Sequence, residues 1–571
     1  MAPRPNGLTN KKPSLGTLAV RIDIFRFPVG SVQAMRERRV VILLLSCPSC
    51  NSRKSSSRSG GLGCRSAPGL LLPTRVRELA IHAAINELQT TIPPPELAAR
   101  VTATASLPAV GVSRALAAFL SAATYDDLPP DVLHETYRAT LDWFGSALAG
   151  SLEPPARFAQ GVAHSLGRSD DATMLGAGRA SAAAAALANG VASHILELDD
   201  VHKGSTLHAA APVISAALGM AERERAPGRA FALAVAVGYE AALRIGEAVN
   251  PSHYRYWHPT GTVATFGAAA AAGSLLGLTS PQMLDALGSA GTQASGLWEF
   301  NADGSMSKHL HPGKAALNGI LAADLAKAGF TGAARILEGD RGFFRATASA
   351  ADATRITEAL GDRWKITENC YKLHSCCGHT HTAIDVALDV RAERRWTARD
   401  ALSAIARVDI QTYGPGYEIV SDPDPATPYR AKFSLAYCVA AALIEGRVNL
   451  EQFAPERFSS EGVIEPAIAA LLPRIHVEVA DDLTAKYPAR WPTRIAITLN
   501  DGTTLRGASD YPRGNPENPV STETLEAKFV ELVASRLGDA FAQRALATVR
   551  ALHDSADVRA LFSTLFSTLA A

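Results

Sequence analysis

Residues 127–150 read Asp-Leu-Pro-Pro-Asp-Val-Leu-His-Glu-Thr-Tyr-Arg-Ala-Thr-Leu-Asp-Trp-Phe-Gly-Ser-Ala-Leu-Ala-Gly, and this stretch decides the fold class. Pro129 and Pro130 suit the start of a helix, because a first turn has no intrahelical acceptor for the amide hydrogen that proline lacks. Leu133, Tyr137, Leu141, Phe144 and Leu148 then recur at intervals of four, four, three and four, which aligns them along one helix face. Helical segments rich in Ala and Gly continue through Ala182 to Ala188, Ala209 to Met220, Ala230 to Ala248, Val263 to Leu278 and Ala315 to Ala328. Small side chains let helices approach closely, so several of these helices are expected to be buried on most sides. A mainly α protein with a large all-helical domain over residues 111–368 is predicted.

Beyond residue 369 the period changes. Arg407 to Tyr413 and Ile475 to Val479 alternate as strands do, and Arg494 to Leu499, Asn500-Asp-Gly502 and Thr503 to Arg506 read as a hairpin. A smaller α+β lid domain over residues 369–510 is the economical account. Helical periodicity returns from Ser521 after a Pro/Gly/Asn-rich connector, so residues 520–571 are expected to fold back onto the helical domain.

The chain has 571 residues, 47% of them apolar, which excludes a disordered tail or a disulfide-stapled miniprotein. Lys+Arg 56 against Asp+Glu 55 gives a formal charge of +1, so no global field favours nucleic acid or an anionic membrane. No apolar run approaches the roughly 18 residues of a membrane span, and seven cysteines make no extracellular framework. A soluble, cytoplasmic protein is expected. Residues 1–105 differ from the rest, with 12 Arg and 3 Lys against 5 acidic residues and no sustained period. They read as a largely disordered extension, a targeting segment or the product of a start placed too far upstream.

Ten of the fifteen histidines fall between His194 and His381, nine of them in four clusters. These are His194-Ile-Leu-Glu-Leu-Asp-Asp-Val-His-Lys-Gly-Ser-Thr-Leu-His208, Tyr256-Trp-His-Pro-Thr-Gly-Thr262, Ser307-Lys-His-Leu-His-Pro-Gly-Lys314 and Tyr371-Lys-Leu-His-Ser-Cys-Cys-Gly-His-Thr-His381. Three adjoin a helix start, where free N–H groups and the helix dipole attract anions. With the lysines and histidines added, the sum is a pocket for a polycarboxylate, and imidazole supplies an acid or base near neutral pH. Each cluster also has a structural reading: Asp199 and Asp200 as helix caps, His258 as a turn residue, Lys308 and Lys314 as solvated side chains. Cys376, Cys377, His379 and His381 have donors enough for zinc but not the paired spacing of a structural site, so no metal is expected. Walker, dinucleotide-binding, His-Glu-x-x-His and nucleophile-elbow motifs are absent from the sequence.

The segments resemble the MmgE/PrpD family, which includes 2-methylcitrate dehydratase, cis-aconitate decarboxylase and iminodisuccinate epimerase. The resemblance spans residues 111–571 and rests on Asn189 to His202, His258 to Thr262, Lys308 with His311 to Lys314, Lys372 with Cys377 and His381, and Ala431 to Tyr437. It implies a helical domain, a lid domain, a cleft between them, a homodimer, and neither metal nor organic cofactor. Carried onto this chain, it implies His208 and His258 as substrate-facing histidines and Lys308 and Lys372 as carboxylate-binding lysines. It implies Glu197, Asp199 and Asp200 as a polar floor, with Glu197 and Asp200 counted as catalytic beside His208 and His258, and Asp199, His202, Cys377 and His381 as substrate-binding. Glu197 stands where decarboxylase-like members place an aspartate, and Cys377 where they place a histidine. A 2-methylcitrate dehydratase-like hydro-lyase is therefore expected ahead of a cis-aconitate decarboxylase. The alternatives are an epimerase or isomerase of an amino- or imino-dicarboxylate, and a carboxylate-binding helical protein without turnover.

Overall fold

The computed structural model describes residues 111–166, 169–459 and 462–567. The expectations for residues 1–105 lie outside the described residues. Among the described residues, nine helices of seven or more residues precede residue 330: α1 (Val112–Ala122), α2 (Pro130–Gly150), α3 (Pro154–Ser165), α4 (Ala182–His194), α5 (Ala210–Arg223), α6 (Gly228–Val249), α7 (Ala264–Leu275), α8 (Ser280–Gly291) and α9 (Ser307–Lys327). Pro130 occupies the first turn of α2, as its chemistry favours. Almost every residue of α4 and of α7 up to Gly273 is buried. Helices made of Ala and Gly can be surrounded in this way because their backbones approach without side-chain obstruction.

One such approach positions the site. Where α4 crosses α9, a Cβ added to Gly190 would come within 2.7 Å of the Gly313 Cα, and one added to Gly313 would strike the Leu187 carbonyl. Only glycine fits at either position. The crossing brings His194, at the end of α4, to the space beside Lys308 and His309 in the first turn of α9.

The later part holds α10 (Gly378–Arg394), α11 (Leu435–Glu445) and a four-stranded sheet of β1 (Ile405–Thr412), β2 (Ile475–Val479), β3 (Thr493–Leu499) and β4 (Thr504–Ser509). Its spatial order is β2-β1-β3-β4, with β1 parallel to β2 (Val408 opposite Ile475) and antiparallel to β3 (Ile410 opposite Ile495). Val408, Ile410, Ile495 and Ile497 are buried in one cluster with side chains of α10 and α11. The alternation read in the sequence is this buried face. The hairpin joining β3 and β4 turns at Gly502, whose φ of +85° suits glycine.

Helices α12 (Thr522–Leu537), α13 (Asp539–Ala551) and α14 (Val558–Ser567) close the described chain. Phe529 of α12 and Phe562 of α14 pack on Phe144 of α2, with ring centroids 6.1 and 5.4 Å away, and the Tyr137 hydroxyl donates to Glu526 at 2.8 Å. Burying such a phenylalanine is worth about 1.5–3 kcal/mol. Among the described residues no helix is long and apolar enough to cross a membrane.

Candidate active site

Past the end of α4 the backbone reverses at Glu197, which has a left-handed φ of +58°. A non-glycine residue there is strained by roughly 1–3 kcal/mol and persists only where its surroundings hold it. Three consecutive carbonyls of this turn each receive a lysine ammonium. The Leu196 oxygen accepts from Lys432 Nζ at 3.0 Å and from the Ser375 hydroxyl at 2.6 Å. The Glu197 oxygen accepts from Lys372 Nζ at 3.2 Å, and the Leu198 oxygen from Lys528 Nζ at 2.8 Å. Lys528 also donates to Asp142 Oδ1 at 2.6 Å and to the Lys372 carbonyl at 2.7 Å. A hydrogen bond to a charged donor contributes about 1.5–3 kcal/mol, so this set offsets the strain at Glu197.

The clamp aims the side chains of the turn. Glu197, only 1% exposed, bonds Lys308 Nζ through one carboxylate oxygen and lies 3.6 Å from Lys372 Nζ through the other. Lys372 Nζ is also 3.9 Å from Asp199 Oδ1. His194 Nδ1 donates to Asp199 Oδ2 at 2.6 Å. His208 Nδ1 donates to the Asp200 carbonyl at 2.6 Å, so in the neutral ring the lone pair sits on Nε2. His258 Nδ1 shares a proton with His311 Nδ1 at 2.9 Å. The His194 ring lies 4.9 Å from His208, 5.8 Å from His258 and 6.4 Å from His309. Trp298 and Phe300 wall His258 at 5.0 and 5.6 Å.

Electrostatics sort these groups by role. Burial, with neighbouring cations added, holds His208 and His258 well below the usual imidazole range. Burial would raise Glu197, but Lys308 and Lys372 override it and hold the carboxylate well below its usual range. Asp199 is likewise lowered by His194 and His208 against the effect of burial. Burial works against the charge of Lys372, yet Asp199 and Glu197 hold its ammonium above the ordinary value. The outcome is neutral imidazoles beside paired, fixed charges.

Of the residues chosen from the sequence, Glu197, Asp199, His208, His258, Lys308 and Lys372 are brought together. The others are directed elsewhere. Asp200 accepts from the Tyr239 hydroxyl at 2.6 Å and from the Ala210 N–H at 3.0 Å, and burial pushes it up to about 7; it ties the turn to α5. His202 pairs with Leu207 across a tight turn, which sends its side chain to the face opposite His208. There its ring bonds the Ser205 hydroxyl at 2.9 Å and lies 3.6 Å from Glu368. His381 Nε2 meets the Cys376 carbonyl at 3.3 Å, and its ring packs 5.0 Å from His374, itself bonded to Asp385. Cys377 sits just before α10 as a buried thiol pushed up to about 11 by burial, within electrostatic reach of Lys308 and Glu197. Lys314 donates to the Gly261 and Ser295 carbonyls at 3.0 and 2.8 Å, joining the His258 turn to the 293–296 turn. The roles of His194, His309, Lys432 and Lys528 were not assigned from the sequence. Lys432 lies inside the Ala431 to Tyr437 motif, whereas nothing local marks Lys528.

Two groups of donors among the described residues are close enough to hold a metal ion: His194, Asp199 and His208, and His202, Glu247 and Glu368. In the first, His194 and Asp199 already bond each other, and Lys372 stands beside Asp199. In the second, Lys365 Nζ reaches Glu247 at 2.8 Å and Glu368 at 3.3 Å, supplying the cation itself. The four-residue Cys/His set does not converge: Cys376 bonds Thr380 at 3.0 Å, and His379 Nδ1 bonds the Tyr413 hydroxyl at 2.5 Å.

Both parts of the chain are similar to known proteins. Sequence models of the MmgE/PrpD N-terminal and C-terminal domains match residues 114–356 and 374–554. A cis-aconitate decarboxylase-like protein of Aspergillus oryzae is 28% identical over 491 residues, covering 81% of this chain and 99% of its own. The cis-aconitate decarboxylase of Aspergillus terreus is 27% identical over 444 residues, with 74% and 90% covered. The human cis-aconitate decarboxylase is 29% identical over 395 residues, with 67% and 79% covered.

Proposed function

The chain belongs to the MmgE/PrpD family, and on that premise we propose that it is a lyase that removes carbon dioxide from a small unsaturated tricarboxylic acid of the cis-aconitate type. The observation that carries this reading is the convergence of His194, His208 and His258 on the Lys308–Glu197 pair inside a buried, aromatic-walled space. As the carbon–carbon bond to the departing carboxylate breaks, its electron pair moves through the adjacent double bond toward a second carboxylate. Lys308 and Lys372 are placed to balance the enolate-like charge that develops there. The carbon that receives the electrons then takes one proton, so the reaction consumes one proton for each carbon dioxide released. His208 or His258 delivers it. Burial keeps both rings neutral in the empty site, and the negative charge of the substrate favours their protonation once it binds.

The relatives' names favour decarboxylation over the dehydration expected from the sequence. Loss of water from a hydroxy-tricarboxylate is the second reading, and it keeps the support of Glu197 and of Cys377, which offers a buried, protonated thiol rather than an imidazole at its position. Incubating the protein with cis-aconitate, 2-methylcitrate, citrate, isocitrate and iminodisuccinate, with products followed by mass and chirality, separates the readings. Release of carbon dioxide from cis-aconitate supports the first; water loss from 2-methylcitrate with no decarboxylation overturns it. A cytoplasmic homodimer is part of the proposal. The exposed groove of Phe158, Val162, Met306 and Leu310 supports the association, and sedimentation velocity tests it.

A further inference from the structure

Near Lys308, two polar atoms are buried without a partner: His309 Nδ1 and the Tyr429 hydroxyl. Buried polar groups are almost always bonded, so both atoms retain a hydrogen bond available to a ligand. The two rings meet edge to face at 5.9 Å. Phe433 packs on Tyr429 at 5.1 Å, and its ring also lies 4.8 Å from Lys308 Nζ. Tyr429 and Phe433 also line a cavity of about 180 Å³, whose wall includes Asn301, Gly304, Ser421 and the Arg430–Asp422 ion pair. That volume is small beside the roughly 300–1,000 Å³ of drug-sized pockets and suits part of a small organic acid. Gly304 turns with a φ of +69°, and a Cβ there would stand 3.0 Å from the Tyr429 ring, so the turn leaves the ring its room. Asp303, the acidic neighbour, is turned to the Ser305 N–H at 3.0 Å.

We propose that the Tyr429 hydroxyl and the His309 imidazole form a second polar subsite that binds the substrate carboxylate farthest from the reacting carbon, selecting tricarboxylic over dicarboxylic acids. The chemistry is that of an anion site: a hydroxyl donor and a ring nitrogen next to the Lys308 ammonium, with His309 in the first turn of α9 at the positive end of its dipole. Opposite them, Glu197 is neutralised by Lys308 and Lys372 and does not repel an incoming carboxylate. The inference rests on the polycarboxylate reading of the main site.

Tyr429→Phe keeps the ring and removes only the hydroxyl. Thermal stabilisation by citrate and by succinate is measured on the full chain, wild type against Tyr429→Phe and His309→Gln. The expected result is citrate affinity about tenfold weaker in each variant, succinate affinity unchanged, and an unaltered melting temperature for Tyr429→Phe without ligand. With whichever tricarboxylate is turned over, Tyr429→Phe raises KM by a similar factor and leaves kcat within about twofold. Wild-type stabilisation by citrate with no loss in Tyr429→Phe overturns the subsite alone. Absence of any response of the wild type to any of these acids overturns the main-site reading and the subsite with it.

Discussion

Two segments of this chain are equally rich in histidine, and they behave in opposite ways. Between residues 194 and 208, His194 and His208 each fix Nδ1 on a backbone or carboxylate acceptor and meet a third imidazole, His258, in a common space. Between 374 and 381, His374 bonds Asp385, His379 bonds Tyr413 and His381 meets the Cys376 carbonyl, each consumed by its own neighbourhood. The difference lies in the backbone. The first segment is a strained turn whose carbonyls are held by three lysines, and its His194 and His208 rings meet His258. In the second, residues 378 onward are already helical, and each side chain takes whatever its helix face meets. Density of residue type marks both; only at the held turn do the imidazoles of separate segments meet.

The largest expected effects follow from the first segment. His208→Ala should lower turnover by about two powers of ten or more, because His208 carries the free ring nitrogen, with a small loss of stability, since the buried Asp199 keeps its bond to His194. Lys308→Ala should lower turnover as much, and it should also destabilise by about 3 kcal/mol, since it leaves the buried Glu197 carboxylate with Lys372 alone, 3.6 Å away. Reading Lys308 from the sequence alone gives the first effect but not the second. Near-normal turnover in His208→Ala would remove the distinction between the two segments. Lys528→Met is expected next: loss of its bonds to Asp142 and to the Leu198 and Lys372 carbonyls should cost about 2–4 kcal/mol in urea unfolding, with turnover reduced about tenfold as the turn relaxes. His381→Ala should change turnover less than threefold while lowering stability by about 1 kcal/mol. A hundredfold loss there would move the site toward the second segment.

The helices were legible because their apolar period is local, and so were the strands of the α+β part. The proline start of α2 and the Asp-Gly turn between β3 and β4 needed only short windows of sequence. His208, His258 and Lys308 were legible as members of clusters, and a resemblance to one family put them in the same space. His202 was misread because six residues of separation say nothing about a tight turn that reverses the chain between His202 and Leu207. Asp200 was misread for a related reason: its partners, Tyr239 and Ala210, become neighbours only once α5 and α6 are packed. Lys528 lies 330 residues from the Leu198 carbonyl that it holds, and its own helix reads as an ordinary surface helix. Contacts of that span are written in the packing of the whole chain rather than in any window of it.

The smallest effect is a shift in pH dependence, and it sharpens the account of the held turn. Burial lowers Lys432 to about 8. Because the folded value lies below that of the unfolded chain, the unfolded state binds more protons between about pH 8 and 10.5, and this lysine makes stability rise with pH across that window. Activity should do the reverse. A neutral amine is a weaker donor to the Leu196 carbonyl, so the turn loosens and turnover declines above about pH 8 while the melting temperature does not fall on this account. Lys314, also lowered by burial to about 8, titrates in the same window, and a single variant is needed to separate them. Lys432→Arg keeps its charge well beyond pH 10. With a lower maximal rate, it should show the alkaline decline displaced upward by about one pH unit; an unmoved decline would assign the limb to Lys314 and the turn of His258 instead.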